Sequence, residues 1–378
     1  MKILVLNCGS SSIKYKLFDG SVPVLSGLIE RIGEEGSGVK DHSEGIKLML
    51  EQVLASGKIK SLSEIEAVGH RVVHGGELSK PTLLGKKSIS KIKKYSELAP
   101  LHNPANLKGI EEMRKALPKA MHVAVFDTAF HQTMPEHSFL YALPYEYYKK
   151  YRIRRYGFHG ISHAFVSERA AKVLKKPLKK LNLITCHLGA GCSMAAVKKG
   201  RVVDTSMGFT PLEGLIMGTR SGDIDPGVLI YLGKNKGMGF EEIDELLNKK
   251  SGLLGISGVS KDVRIIEEKA EKGDRRCKLS LKMFCYRVAK YLGAYAVVLG
   301  KVDGIVFTGG IGENSASVRR EVCSYLKILG VKIDERKNKK AVKKERDISA
   351  AGSKIKVLVI PTDEEGMIAR DVLSLIGG

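Results

Sequence analysis

The six cysteines of this chain (Cys8, Cys186, Cys192, Cys277, Cys285 and Cys323) form no CxxC pair. That absence argues against structural zinc and thioredoxin-like exchange, and points to free thiols in a reduced cytoplasm. No stretch approaches the ~18 apolar residues that a membrane span requires. The N-terminal apolar run is only Ile3–Leu6 before Asn7 stops it, which argues against a signal peptide. GxxxxGK[ST] is missing, so a Walker loop is excluded. HExxH is missing too, because Gly160 takes the glutamate position between His159 and His163. Gly309-Gly310-Ile311-Gly312 does not fit the dinucleotide fingerprint GxGxxG. There is no long Pro/Ser linker and no low-complexity tail.

Acidic residues are scarce relative to basic ones, 41 against 63, which gives a formal net charge of +22. The excess sits in lysine-rich stretches such as Lys86–Lys94 and Val331–Arg346. These runs lack interleaved aromatics and no nucleic-acid-binding module is present. They read as solvated helix faces, with no nucleic-acid partner expected. A positive field also draws anionic substrates toward a cleft.

A length of 378 residues favours two domains, and the 43% hydrophobic content is ordinary for a globular protein. Short β-rich runs alternate with longer helical patterns, which reads as α/β. Strands are expected at Lys2–Leu6, Ile13–Phe18, Ala67–Val73, His122–Val125, Asn182–Cys186, Met194–Lys198, Gly304–Thr308 and Lys356–Ile360. Helices are expected at Ser43–Leu54, Pro104–Leu117, Ile161–Leu174, Phe240–Asn248, Lys278–Leu299 and Ser315–Leu329. The border is expected as a hinge near Asp127–Phe130. One domain then comprises residues 1–128 plus 366–378, and the other residues 129–365.

Three glycine-rich turns stand out: Ile3–Phe18, Leu183–Val197 and Gly304–Asn314. A Gly/Ser turn between buried strands exposes backbone N–H groups that favour anions. Three such turns in one chain suggest a nucleotide gripped from several sides. The first two read as one strand–turn–strand device used twice, with Asn7 and His187 180 residues apart. That spacing suggests a duplicated domain.

Six further constellations carry chemistry. Asn7–Lys14 places an amide, hydroxyls and an ammonium on one tight turn. Gly69–Gly76 ends a strand with Arg71, whose fork suits a carboxylate or phosphate. Phe126–His131 sets Asp127 between aromatics, where it can orient a partner, accept a proton or cap a helix. Tyr156–His163 holds His159 at a Gly-flanked turn, able to donate to a transferring phosphoryl group. Met217–Gly227 supplies Arg220, a cation for the charge spread over such a group, while Asp223 and Asp225 shape the turn. Pro361–Gly366 offers carboxylates that can serve Mg²⁺ or, through Asp363, cap the last helix.

With these residues in hand, the chain resembles the acetate kinase family. NCGSSSIK, GHRVVHGG, PLHNPAN, FDTAFH, YGFHGISH, HLGAGCS, MGTRSGDIDPG, GGIGENS and PTDEE stand in the family's order from Lys2 to the last helix. The resemblance implies two duplicated ribonuclease H-like domains of the actin/hexokinase-like ATPase superfamily, with an interdomain nucleotide cleft. It implies reversible, direct in-line transfer between ATP and acetate, giving ADP and acetyl phosphate. Mg²⁺ is the implied metal, with Mn²⁺ as an alternative, in a cytoplasmic homodimer.

Carried over by motif, Asn7 and Glu364 serve the metal, while Ser10, Ser12 and Lys14 face phosphates. Arg71, Asp127, His159 and Arg220 surround the reacting groups, and His102 borders them. His187, Leu188, Gly189, Ala190 and Gly191 line the nucleotide, with Asp262, Val263 and Arg264. So do Gly309, Gly310, Ile311, Gly312 and Glu313. Val73, Leu101, Phe158 and Pro211 match an apolar pocket for the acetate methyl. A propionate or butyrate kinase would use the same machinery, since one CH₂ discriminates by only ~1–3 kcal/mol. Two departures from the family pattern are visible. Ala190 replaces the asparagine of HLGNG, and the stretch between Phe18 and His70 is shorter than usual.

Overall fold

Ile3–Leu6 are buried consecutively, as expected of a strand covered on both faces. This strand, β1 (Lys2–Cys8), is followed by β2 (Ser12–Asp19), β3 (Val22–Glu30), β4 (Ile65–Val72), β5 (Thr82–Leu83) and β6 (Met121–Phe126). Later in the chain come β7 (Asn182–Leu188), β8 (Cys192–Lys198), β9 (Arg201–Thr205), β10 (Gly304–Thr308), β11 (Arg346–Asp347) and β12 (Lys356–Val359). The computed structural model describes residues 1–9, 11–34, 36, 38–99, 102–340 and 344–377. Ser10 and Leu101, both expected at the site, lie outside the described residues.

Among the described residues the strands form two six-stranded sheets, ordered β3-β2-β1-β4-β6-β5 and β9-β8-β7-β10-β12-β11. The orders match strand for strand, and so do the directions. In each sheet the first two pairings are antiparallel, the next two are parallel, and the short edge strand is antiparallel. β1 and β7 begin 180 residues apart, as do β2 and β8. The fold is therefore a duplicated α/β architecture, as the repeated strand–turn–strand device implied.

The chain divides into two compact units. Unit 1 holds Met1–Gln132, Gly160–Ser162 and Asp363–Gly378; unit 2 holds Thr133–His159 and His163–Thr362. In unit 1, Leu4, Leu6, Ile13, Tyr15 and Leu17 share a core with Ile46, Met49, Leu50 and Val53 of the helix His42–Ala55. That helix starts cleanly because the Asp41 side chain accepts from Glu44 N–H. The C-terminal helix Glu364–Ile376 lies close against β4: a Cβ on Gly69 would meet Ile368 at 2.7 Å and Val372 at 3.0 Å. In unit 2 the helix Arg275–Leu299 is capped by Asp274 and buries Phe284, Val288, Leu292 and Leu299.

The regular elements expected from the sequence are present, with one division. The single helix expected over Ser315–Leu329 is a helix Ala316–Ser324 followed by a 3₁₀ turn Tyr325–Leu329, because Leu326 leaves helical geometry (φ −94°, ψ 15°).

This core generates two predictions. Gly69→Ala forces a methyl into a space already occupied, so it should cost about 1–3 kcal/mol of stability in denaturant unfolding. An unchanged midpoint would refute the close approach. The second concerns the buried pair His70 and His122, whose Nε2 and Nδ1 lie 3.0 Å apart. Burial holds both imidazoles below their usual pKa, with the charge of Arg114 adding to it. Above pH ~6.5 neither folded nor unfolded histidines take up protons. Below it the unfolded chain gains protons that the folded pair resists. Stability should then fall with pH, by at most about 1.4 kcal/mol per pH unit per histidine. A His70→Asn/His122→Asn variant that retains the full slope between pH 6.5 and 5 would contradict this.

Candidate active site

Arg71 leaves the end of β4 and organises the cluster of unit 1. Its Nε donates to Asp127 Oδ1 at 3.2 Å, and its Nη2 makes a very short ion pair with Asp127 Oδ2. Nη1 donates to Asn7 Oδ1 at 3.1 Å, and Glu364 Oε2 lies 3.7 Å from Nε. Burial works against the guanidinium charge, but Asp127 and Glu364 outweigh it and raise the Arg71 pKa. Asp127 itself is 1% exposed. Two carboxylates and an amide oxygen therefore hold one forked cation in a fixed plane.

The backbone beneath is pinned by amides. Asn106 Oδ1 accepts from Val73 N–H at 3.0 Å, and its Nδ2 donates to the Cys8 carbonyl at 2.7 Å. Asn103 makes a matching pair with His74 N–H and carbonyl, at 3.0 and 2.9 Å. His42 Nε2 lies 2.7 Å from the Gly9 carbonyl, and Gly9 N–H donates to the Ser12 carbonyl at 2.8 Å. Together these contacts lock the first glycine-rich turn to the end of β4. His102 precedes the helix Asn103–Ala116 that carries both asparagines.

Lys14, expected toward phosphate, is 2.7 Å from Glu365 Oε1. Glu365 also pairs with Lys16 at 3.2 Å, and the two lysines overcome the effect of burial to hold its carboxyl below the usual range. Asp363 caps the last helix through Gly366 N–H at 3.2 Å.

Unit 2 carries a second cluster. His159 sits in the left-handed region (φ 55°) at the start of the helix Gly160–Val173. Its Nδ1 lies 2.8 Å from Ser193 Oγ. Ser193 Oγ is also 2.8 Å from His163 Nε2, and His163 Nδ1 is 2.7 Å from Thr185 Oγ1. The His187 ring stacks on His159 with centroids 4.3 Å apart. A relay of hydroxyls and imidazoles thus fixes the His159 ring and aims its other edge at the second glycine turn. A Cβ on Gly191 would lie 3.4 Å from His159 Nε2 and 3.6 Å from Arg220 Nη1.

Arg220 differs from Arg71 in its partners. Its Nη1 donates to the Pro211 carbonyl at 3.3 Å and contacts Met217 Sδ at 3.7 Å. No carboxylate pairs with it among the described residues, and burial lowers its pKa. Burial also pushes the neighbouring Cys192 thiol up to about 12, so no thiolate offsets the charge. A desolvated cation without a carboxylate suits an incoming anion. Phe158 is fully buried beside His159 in sequence.

Next to the turn lies a cavity of about 710 Å³, within the range of small-molecule sites. It is lined by Gly189, Ala190, Asp262, Val263, Arg264, Gly310 and Ile311, all expected at the nucleotide, with Lys261, Glu267, Asn314 and Ser315 added. His187, Leu188, Gly191, Gly309, Gly312 and Glu313 are not among the lining. Leu188 is core. Glu313 turns inward: its Oε1 accepts from Gly309 N–H at 2.9 Å and Thr362 N–H at 3.2 Å. Asp223 and Asp225 shape turns, accepting from Gly214 N–H at 2.8 Å and Gly227 N–H at 2.9 Å.

The acetokinase family is matched over residues 2–370. The chain belongs to the acetokinase family. It is 54% identical to an acetate kinase of Thermotoga maritima over 398 aligned positions, covering 100% of this chain and 99% of the relative. It is 53% identical to an acetate kinase of Treponema denticola, covering 100% of both. The crystal structure of Porphyromonas gingivalis acetate kinase superposes with a TM-score of 0.93 at 46% identity, covering 99% of each chain. A propionate kinase of Francisella tularensis superposes with a TM-score of 0.91 at 45% identity and 98% coverage of each.

The supports stand in the same motifs, Asn103 and Asn106 in PLHNPAN, Gly69 in GHRVVHGG and Glu365 in PTDEE, but residue type alone does not say which residues brace the site.

Two predictions belong to this geometry. Arg220→Lys keeps the charge but loses the fork, so kcat should fall on the order of 10²–10³; full activity would refute the assignment. Asn106→Ala leaves the Val73 N–H and Cys8 carbonyl unpaired in the interior, and should cost about 1–3 kcal/mol in unfolding experiments.

Proposed function

We propose that the protein is an acetate kinase, transferring the γ-phosphoryl group of ATP reversibly to acetate. The observation that carries this reading is the contrast between its two site arginines. Arg71 is neutralised and oriented by Asp127, Asn7 and Glu364. Arg220 has no carboxylate partner among the described residues and converges with His159 on a glycine turn. One arginine is built to orient, and the other to receive negative charge.

A substrate carboxylate is already ionised near pH 7, so it needs positioning rather than deprotonation. Asp127 is committed to Arg71, which supports a positioning role over that of a base. Arg220 and the Nε2 edge of His159 are assigned to the transferring group, where donors stabilise charge on equatorial oxygens. Transfer is then direct and in line. Ser12, the N–H groups of the first turn and the Ala190 side of the cavity are assigned to the nucleotide phosphates, and the Ile311 side of the cavity to the nucleoside. Val73, two residues beyond Arg71, is assigned to the alkyl group of the acid.

Asn7 and Glu364 fit Mg²⁺ by donor chemistry. Both offer hard oxygens beside Arg71, and one carboxylate leaves room for water and phosphate oxygens. Among the described residues no group of three or more His, Cys, Asp or Glu could hold a metal. That suits an ion brought with the nucleotide better than a protein cage. When bound, it would neutralise phosphate charge.

A cytoplasmic homodimer completes the proposal. All six thiols are free and buried, and no helix of the described residues is long and apolar enough to cross a membrane. The likeness to a propionate kinase sustains a second reading, with propionate as the preferred acid.

Hydroxylamine trapping of acyl phosphate with MgATP and acetate, propionate or butyrate tests both readings. Acetate should give the highest kcat/KM, and no trapped product from any acid would defeat the proposal. Val73→Ala should raise the propionate-to-acetate ratio by several-fold; an unchanged ratio removes Val73 from the acid site.

A further inference from the structure

Lys261 lines the cavity assigned to the nucleotide, beside Gly189 and Ala190. It immediately precedes Asp262, the cap of the helix Val263–Glu271. Gly218 locates it more closely. A Cβ built on Gly218 would lie 3.3 Å from the Ala190 carbonyl oxygen and 3.4 Å from Lys261 Cβ. The Gly218 N–H also donates to that carbonyl at 3.0 Å. The stem of Lys261 and the Ala190 turn therefore flank a single residue that has no side chain.

The other charges around the cavity are committed. Asp262 pairs with Arg264 at 2.5 Å. Glu267 accepts from Ser315 Oγ at 2.6 Å and from Ser317 Oγ. Lys261 is exposed, and among the described residues no carboxylate pairs with it. A flexible ammonium binds phosphate as a point charge, without the directional demands of a fork. The Ala190 methyl, on the same wall, donates nothing.

We propose that Lys261 contacts a nucleotide phosphate, supplying from the neighbouring turn the donor that Ala190 lacks. This rests on the cavity being the nucleotide site. The contact acts through charge, so it weakens with salt and is blind to the base. It favours nucleotides over the bare nucleoside.

Calorimetric titration of the full-length protein with MgATP and with adenosine, at low and high salt, tests this. Lys261→Met should raise the Kd for MgATP about fivefold at low salt and flatten its salt dependence, leaving adenosine unchanged. Lys261→Arg should retain binding. Ala190→Asn should restore most of the affinity lost in Lys261→Met. Unchanged MgATP binding in Lys261→Met, or an equal loss for adenosine, overturns the proposal. Ile311→Trp separates the two failures by filling the cavity. If it leaves MgATP binding intact, the nucleotide reading fails and the proposal with it. If it blocks binding while Lys261→Met binds as wild type, only the Lys261 assignment fails.

Discussion

The Arg71–Asp127 ion pair is the constraint around which unit 1 is arranged. A guanidinium taken out of water is costly unless its donors are met, and breaking such a pair costs about 3–5 kcal/mol. The chain meets those donors from three distant segments: Asn7 on β1, Asp127 after β6 and Glu364 at the last helix. Bringing Glu364 there requires its helix to run against β4, and Gly69 makes that approach possible by having no side chain. The Asn103 and Asn106 amides then fix the strand end that carries Arg71. Core packing, backbone clamps and site electrostatics are thus one linked set.

Unit 2 repeats the sheet but puts it to different use. Its strand order and directions copy those of unit 1. At the corresponding turn, however, the chain builds a histidine–serine relay and an arginine that has no carboxylate partner among the described residues. Duplication supplied two scaffolds for glycine-rich turns, and the residues after each turn diverged. The first turn gathers carboxylates around a cation. The second keeps a cation available for an anion.

Much of the fold was legible in the sequence because its signals are local. The apolar runs before each glycine turn mark β1, β7 and β10, and the equal spacing of the first two exposed the duplication. Edge strands were not legible. β3 is mostly solvent-facing and contains Pro23, while β5 and β11 have two residues each. The site divided in the same way. Arg71, Asp127, His159 and Arg220 stand in motifs whose chemistry is visible residue by residue. What Lys14 and Glu313 touch was not visible, because each is set by a tertiary partner: Glu365 for one, and the backbone of Gly309 and Thr362 for the other. A carboxylate beside a glycine turn can face a ligand or brace the turn, and only the fold decides which.

We infer that Asp127 works through Arg71, as the group that holds its fork, and not as an independent base. A double-mutant cycle on kcat for acyl phosphate formation tests it most directly, using Arg71→Ala, Asp127→Ala and the pair together. If the two act as one unit, losing Asp127 from a protein that already lacks Arg71 removes little more, so the double variant should match Arg71→Ala within about a factor of three. Losses that multiply in the double variant would show that Asp127 acts on the reacting groups by itself, and would contradict the account.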